Sequence, residues 1–327
     1  MNVEEGDNIV VWFTYTGADG EVIDDEATHV IVQARVIRAN AFHRHRNIVE
    51  VICNEDVEKI ESDAFHHCYS LRRVIMRGVK NVEEDAFICC TALEDVECDK
   101  LEIIGGGAFV TCESLRSINL ASARIVMAEA FGSCEVLKYV KFGSKLESFG
   151  VEAFNSCVSL ERITIPLKDG LINDDGIFMA CENLDQVDLV KGELHETIAA
   201  LQLEEWRNDL DVEINSINLI LPNADPGRYD DDYDDTGEKA QTIRRWIRSV
   251  LHKIIHYQAE HRRLLEGDVA TTLELVLPNN DIVTNNVLPF LELPSYTFEV
   301  VDDEDEEGDS DDEMQSSGSS LGDEEDE

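Results

Sequence analysis

The chain has 327 residues, 43% of them hydrophobic, enough to bury a substantial core, and it carries 27 Lys and Arg against 70 Asp and Glu for a formal charge of −43. Such a field repels phosphate backbones and anionic lipid, which counts against nucleic acid and membrane as partners and favours basic proteins. The charge is uneven: residues 1–30 carry −8, residues 31–190 only −9, and residues 191–327 carry −26.

The first residues, Met1-Asn2-Val3-Glu4-Glu5-Gly6-Asp7, offer no basic region, and the apolar run at 9–15 is too short for the core of a signal peptide. No stretch approaches the roughly 18 apolar residues of a membrane span. The expected location is therefore intracellular, in the cytoplasm or the nucleus. Residues 1–30 read as an N-terminal cap. Strand-like runs at 9–16 and 28–32 flank Gly17-Ala18-Asp19-Gly20, which predicts a hairpin covering the open edge of the first repeat.

Residues 31–190 repeat. Phenylalanine recurs at Phe42, Phe65, Phe87, Phe109, Phe131, Phe154 and Phe178, at intervals of 23, 22, 22, 22, 23 and 24. Three residues after each comes His45, Cys68, Cys90, Cys112, Cys134, Cys157 or Cys181, and six after comes Ile48, Leu71, Leu93, Leu115, Leu137, Leu160 or Leu184. Nine after is always Val or Ile, and five before is apolar except at Asn173. From the leucine column onward apolar and polar residues alternate, as in a strand, whereas the Ala-Phe-x-x-Cys segment spaces its apolar residues as a turn of helix or 3₁₀ does. One unit cannot cover its own apolar face, so seven of them must stack as a solenoid with a ladder of parallel strands about 4.8 Å apart.

The pattern is seen in Ile104-Gly105-Gly106-Gly107-Ala108-Phe109-Val110-Thr111-Cys112-Glu113-Ser114-Leu115-Arg116-Ser117-Ile118-Asn119-Leu120. It resembles the BspA-like class of leucine-rich repeats. Further on, residues 261–266 and 271–275, followed by 286–298, resemble the C-terminal ends of an expanded group of such proteins in microalgae. The resemblance implies a leucine-rich-repeat solenoid, which with the N-terminal strand cap and the C-terminal helices read from the flanking residues gives an α/β repeat fold. It implies protein–protein interaction and supplies no catalytic residue.

After residue 190 the period stops. Residues 191–221 read as a helical C-terminal cap with Leu194, Ile198, Leu201, Leu210, Ile214 and Ile217 as core contacts, and 222–237 as an acidic linker. Residues 238–301 hold an amphipathic helix and an extended segment. The helix stripe is Ile243, Trp246, Ile247, Val250, Leu251, Ile254 and Ile255, with Arg244, Arg245, Arg248, Lys253, Arg262 and Arg263 outside it. Three readings stand for it, a cap on the repeats, a partner-binding helix or a nucleic-acid-binding helix, the last disfavoured by the surrounding negative charge. Residues 302–327 have 15 acids and no base, the composition of a disordered acidic tail, and Ser310 before Asp311-Asp312-Glu313 fits an acidophilic kinase.

Cysteine and histidine invite a metal reading. Six of the nine cysteines fall in one apolar column, where they serve as small buried thiols, and no C-x-x-C pair occurs. Alignment sets His43 beside His66 and His45 beside Cys68, a set of zinc donors on neighbouring rungs, but the two columns point in different directions, so no metal and no cofactor is expected. The acidic run 230–235 lacks the glycine and the closing glutamate of a calcium loop, and Gly105-Gly106-Gly107 lacks phosphate-loop spacing. No nucleophile or kinase motif appears, so an enzyme is not expected.

On the strand ladder the positions eight and ten after Phe should face outward. Among them Ile52, Arg73, Ile75, Tyr139, Lys141 and Arg162 have the composition of an interface. The reading is a non-enzymatic scaffold that binds a protein there. The competing reading is an acidic, histone-chaperone-like or nucleic-acid-mimicking protein that binds basic partners through its tail.

Overall fold

The computed structural model describes residues 10–190, 201, 203–228 and 237–266. Leu194, Ile198, the acidic run 230–235, the segment after 266 and the acidic tail with Ser310 lie outside the described residues.

Each repeat lays down one longer strand. Strands β1 (Trp12–Tyr15), β2 (His29–Val32), β4 (Glu50–Cys53), β6 (Arg73–Ile75) and β8 (Asp95–Glu97) form one parallel sheet in that order. Strands β10 (Ser117–Leu120), β12 (Tyr139–Phe142), β14 (Arg162–Ile165) and β15 (Gln186–Leu189) continue the ladder beside β8. A second wall is built of two-residue strands β3 (Val36–Ile37), β5 (Lys59–Ile60), β7 (Asn81–Val82), β9 (Ile103–Ile104), β11 (Ile125–Val126) and β13 (Ser148–Phe149). Register is strict: Val30, Val51, Val74 and Val96 face one another inward, as do Ile118, Val140, Ile163 and Val187. A slip of one residue would turn this buried column to solvent.

The hairpin expected in the cap does not form. β1 pairs parallel with β2, Trp12 opposite His29 and Tyr15 opposite Val32. Residues 16–28 have the dozen or so residues a parallel crossover requires. Their start is held by Glu21, whose carboxylate accepts the N–H groups of Thr16, Gly17 and Ala18. The cap is thus an extra rung.

The Ala-Phe-x-x-Cys segment also differs from the helical turn its spacing predicts. It is a pair of tight turns, with a 3₁₀ turn only in the last repeat, at Asp175–Phe178. In each of the first six repeats the residues two before and two after Phe are left-handed. The column before holds Asn40, Asp63, Asp85, Gly107, Glu129 and Glu152, and the column after holds Arg44, His67, Cys89, Thr111, Ser133 and Ser156; all have φ between +54° and +60°. With left-handed residues at these places, alternate N–H groups point at the adjoining rung. The Phe42 N–H donates to the Ala64 carbonyl at 2.8 Å and that of Arg44 to His66 at 2.7 Å, and the pattern continues to Ser156 and Met179 at 2.8 Å. The intervening groups bond locally, His45 N–H to the Phe42 carbonyl at 3.0 Å. A non-glycine residue in this region costs about 1–2 kcal/mol. The bonds to the next rung offset that cost.

Stacking of turns aligns the side chains. The rings of Phe42, Phe65, Phe87, Phe109, Phe131 and Phe154 are fully buried and stacked, with centroids 4.9–5.3 Å apart and planes within 6°. Tyr15 closes the near end, 5.2 Å from Phe42, and its hydroxyl accepts the Arg38 N–H. Each column cysteine donates its Sγ–H to the carbonyl of the preceding phenylalanine: Cys68 to Phe42 at 3.0 Å, Cys112 to Phe87 at 3.3 Å, Cys181 to Phe154 at 3.1 Å. That carbonyl already accepts the N–H of the residue three further on in its own repeat, His45 for Phe42 and cysteine in the others, so the thiol fills its second lone pair. His45 has no phenylalanine before it, and its Nε2–H instead donates to the Asp24 carbonyl at 2.9 Å.

At the far end, α1 (Glu204–Ile220) and α2 (Glu238–Glu266) pack on each other and on the last repeat. Asn218 Oδ1 accepts the N–H of Val187 on the open edge of β15, and the carbonyls of Pro226 and Gly227 accept that of Ala180. The buried Lys239 ammonium donates to the carbonyls of Leu184, at 2.6 Å, and Glu182. Of the predicted stripe, Ile243, Trp246, Ile247, Val250, Leu251 and Ile254 are buried, with Ile255 at its exposed margin. Leu201, Leu210 and Ile217 are buried and Ile214 is half-buried. Arg244 pairs with Asp175 at 2.7 Å and Lys253 with Asp209 and Glu213, so basic residues outside the stripe fasten the cap. Among the described residues no helix is long and apolar enough to cross a membrane.

Three measurements check this account. Phe109→Ala, which removes a ring stacked on both faces, should lower the unfolding free energy by about 3–5 kcal/mol in urea titration. With Ellman's reagent, native protein should release one thiol promptly, that of the half-buried Cys89, while the other eight react only on unfolding. Burial pushes the Cys53, Cys68, Cys98 and Cys181 thiols up to about 12. A thiol that ionises more readily in the unfolded chain stabilises the fold fully below about pH 9 and progressively less from there to about 12. The urea midpoint should accordingly fall between pH 8 and 10, and a flat profile would contradict the buried thiol row.

Candidate functional site

Outward positions of the ladder alternate with the buried column along each strand, and the structure divides the six predicted residues into two groups. Ile52 and Ile75 are register partners on β4 and β6, half-buried, with Ile31 of β2 in the same row. Tyr139 and Arg162 are register partners on β12 and β14, and Lys141 lies two residues on from Tyr139. Strands β8 and β10 separate the groups.

Arg73, on β6, is taken up within the chain. It pairs with Glu97, with Asp95 at 3.2 Å and with Glu50 at 3.7 Å, and Glu97 pairs in turn with Arg77. These two guanidinium groups, Arg77 first, hold the Glu97 carboxyl below its ordinary value. A partner approaching Arg73 would have to desolvate this network or displace part of it.

The second group is more open. Tyr139 is 48% exposed, and a surface concavity of about 360 Å³ is lined by Tyr139, Glu161, Arg162, Asp185 and Gln186. The Tyr139 hydroxyl donates to Glu161 at 3.2 Å, and Glu161 also pairs with Lys138 at 2.7 Å. These contacts, that of Lys138 first, lower the Glu161 carboxyl. Arg162 donates to Gln186 and lies 3.5 Å from Asp188. Lys141 makes no ion pair among the described residues, and neither does Asp185. The sequence reading omitted Glu161 and Asp185, which stand seven after Phe, just before the strands. Only the packing of one loop above the next brings them to the rim.

The histidine–cysteine set separates. His45 and Cys68 are committed inward to the carbonyls of Asp24 and Phe42. His43 and His66 do meet, with ring centroids 4.7 Å apart, and a residue outside the sequence reading joins them: Asp63, whose Oδ1 accepts from His66 Nδ1 at 2.6 Å. Burial, then the charge of His66, holds the His43 imidazole below its ordinary value. Burial and then the charge of Asp63 raise the carboxyl of Asp85 on the next rung. Gly105-Gly106-Gly107 is structural: Gly107 takes the left-handed position at φ +60°, and a Cβ on Gly105 would meet the Glu83 carbonyl carbon at 2.4 Å.

Residues 28–125 and 121–200 match the family described as BspA type leucine rich repeat region, in six copies. A comparison with curated proteins finds no match. Among solved structures the chain is similar to a leucine-rich repeat protein from Bacteroides ovatus ATCC 8483, at 19% identity over 52% of this chain and 47% of that one, with a TM-score of 0.39. It is also similar to the T. pallidum leucine-rich repeat protein, at 23% identity over 59% and 88%, TM-score 0.39. Human trophoblast glycoprotein (Wnt-activated inhibitory factor 1) is similar at 13% identity over 56% and 78%, TM-score 0.32. The chain spans about half the length of the Bacteroides ovatus protein.

Proposed function

Because the chain belongs to the BspA-type leucine-rich repeat family, whose fold generally serves as a protein-interaction scaffold, we propose that it is a non-enzymatic scaffold holding a protein partner on its strand ladder at Tyr139, Lys141 and Arg162. The observation that carries this reading is the concavity beside the half-exposed Tyr139. It combines an aromatic anchor, a guanidinium group and the rim carboxylates Glu161 and Asp185. Tyr and Arg are favoured where binding energy concentrates. A basic side chain from the partner suits this place, lying on the Tyr139 ring and pairing with Asp185, whose charge acts on the buried Lys239 but which makes no ion pair among the described residues. Ile52 and Ile75 extend the surface with apolar area, and Arg73, enclosed by carboxylates, contributes least.

The proposal is tested by affinity capture with the full chain, with a chain ending at Val301, and with the Tyr139→Ala/Arg162→Ala variant. The same partner should be retained by the first two and lost by the third, and Tyr139→Ala alone should weaken binding of the purified partner roughly 10- to 100-fold. If the shortened chain loses the partner while the ladder variant keeps it, the acidic tail is the binding element and the ladder reading fails.

A further inference from the structure

The turn column one residue after each phenylalanine reads His43, His66, Ile88, Val110, Gly132, Asn155 and Met179, so imidazoles stand side by side on the first two rungs and nowhere else in the column. We propose that His43, Asp63 and His66 form a binding site for a zinc-class divalent cation at the edge of these two repeats.

One ligand atom from each residue lies within 4.8 Å of the other two. A tetrahedral zinc ion with bonds of about 2.0–2.1 Å sets its donors about 3.3 Å apart, so rotation of the half-buried side chains by about 1.5 Å at the widest pair closes the site. The backbone that carries them is already fixed across the rungs. The Arg44 N–H donates to the His66 carbonyl at 2.7 Å, the His66 N–H to the Asp63 carbonyl at 3.1 Å, and Asp63 holds the left-handed position at φ 58°.

The Nδ1 atoms of His43, His45 and His67 are all buried without a hydrogen-bond partner, but of these three only His43 stands in a group with a second imidazole and a carboxylate whose ligand atoms lie close together. Such an atom needs a reason, and a lone pair directed at a cation supplies one. His66 Nδ1 and Asp63 Oδ1, 2.6 Å apart, face each other, and a cation there would take the place of the proton they share, with both atoms as ligands. Two imidazoles and one carboxylate suit zinc and its neighbours in the transition series, whereas calcium and magnesium require mostly oxygen donors. The nearby His67 packs edge-on against Tyr69, at 5.3 Å and 73°, and stays outside the set. Among the described residues the donors number three, which leaves the fourth position open to water or to a side chain of another molecule.

The test is calorimetric titration of Zn²⁺ into metal-free full-length protein, with excess Mg²⁺ present to occupy the chain's many surface carboxylates. The expected result is one saturable site per chain. His43→Ala and His66→Gln should each weaken it about a hundredfold while leaving circular dichroism unchanged, and His261→Ala should have no effect. With Co²⁺ as the probe, the strong visible absorption of a four-coordinate ion should appear in the wild type and vanish in His66→Gln. Absence of a saturable site in the wild type, or an unchanged site in the His43→Ala/His66→Gln double variant, overturns the proposal.

Discussion

No repeat of this chain can satisfy its own turn. The N–H of each phenylalanine from Phe42 to Phe154, and that of the residue two further on, point along the stack and find an acceptor only in the next rung. Buried backbone donors left unpaired are too unfavourable to persist, so the rungs must sit in register and about one strand spacing apart. The left-handed columns, the stacked rings at 4.9–5.3 Å and the thiol row all follow from that spacing. Cysteine suits its column because it is small enough to be buried beside the ring and still carries a donor for the phenylalanine carbonyl.

Departures from the pattern gather where a neighbour is missing. At the first turn His45 replaces cysteine and reaches the cap through a longer side chain. At the last, an extra residue shifts the register, so that Asn173 falls on the apolar column while Ile172 is the residue buried. There the partners of a following rung are replaced one by one: Asn218 for a strand carbonyl, Pro226 and Gly227 for the turn, Lys239 for donors to the loop. The C-terminal helices are thereby a cap, and the amphipathic stripe of α2 is spent on packing.

Ion pairs knit the repeats together from rung to rung. Along the repeats about half of the bases pair with acids on a neighbouring rung, as in Arg35 with Glu58, Lys59 with Glu83, Arg124 with Glu147 and Lys138 with Glu161. Each exposed pair contributes little stability. Together with a nearly even count of acids and bases they leave the ladder close to neutral.

The sequence by itself determined the solenoid, the buried Phe, Cys and Leu columns and the outward set on the ladder, because each is a periodicity that a stack must respect. It misjudged the turns and the cap. Three-residue spacing is shared by a helical turn and by two tight turns with a left-handed residue between them, and strands twelve or more residues apart in sequence can pair in either direction. The tertiary structure alone decided which outward residues remain available. Whether Arg73 meets Glu97, whether Asp185 and Tyr139 line one concavity and whether Asp63 joins His43 and His66 depend on distances between rungs, which no single repeat encodes.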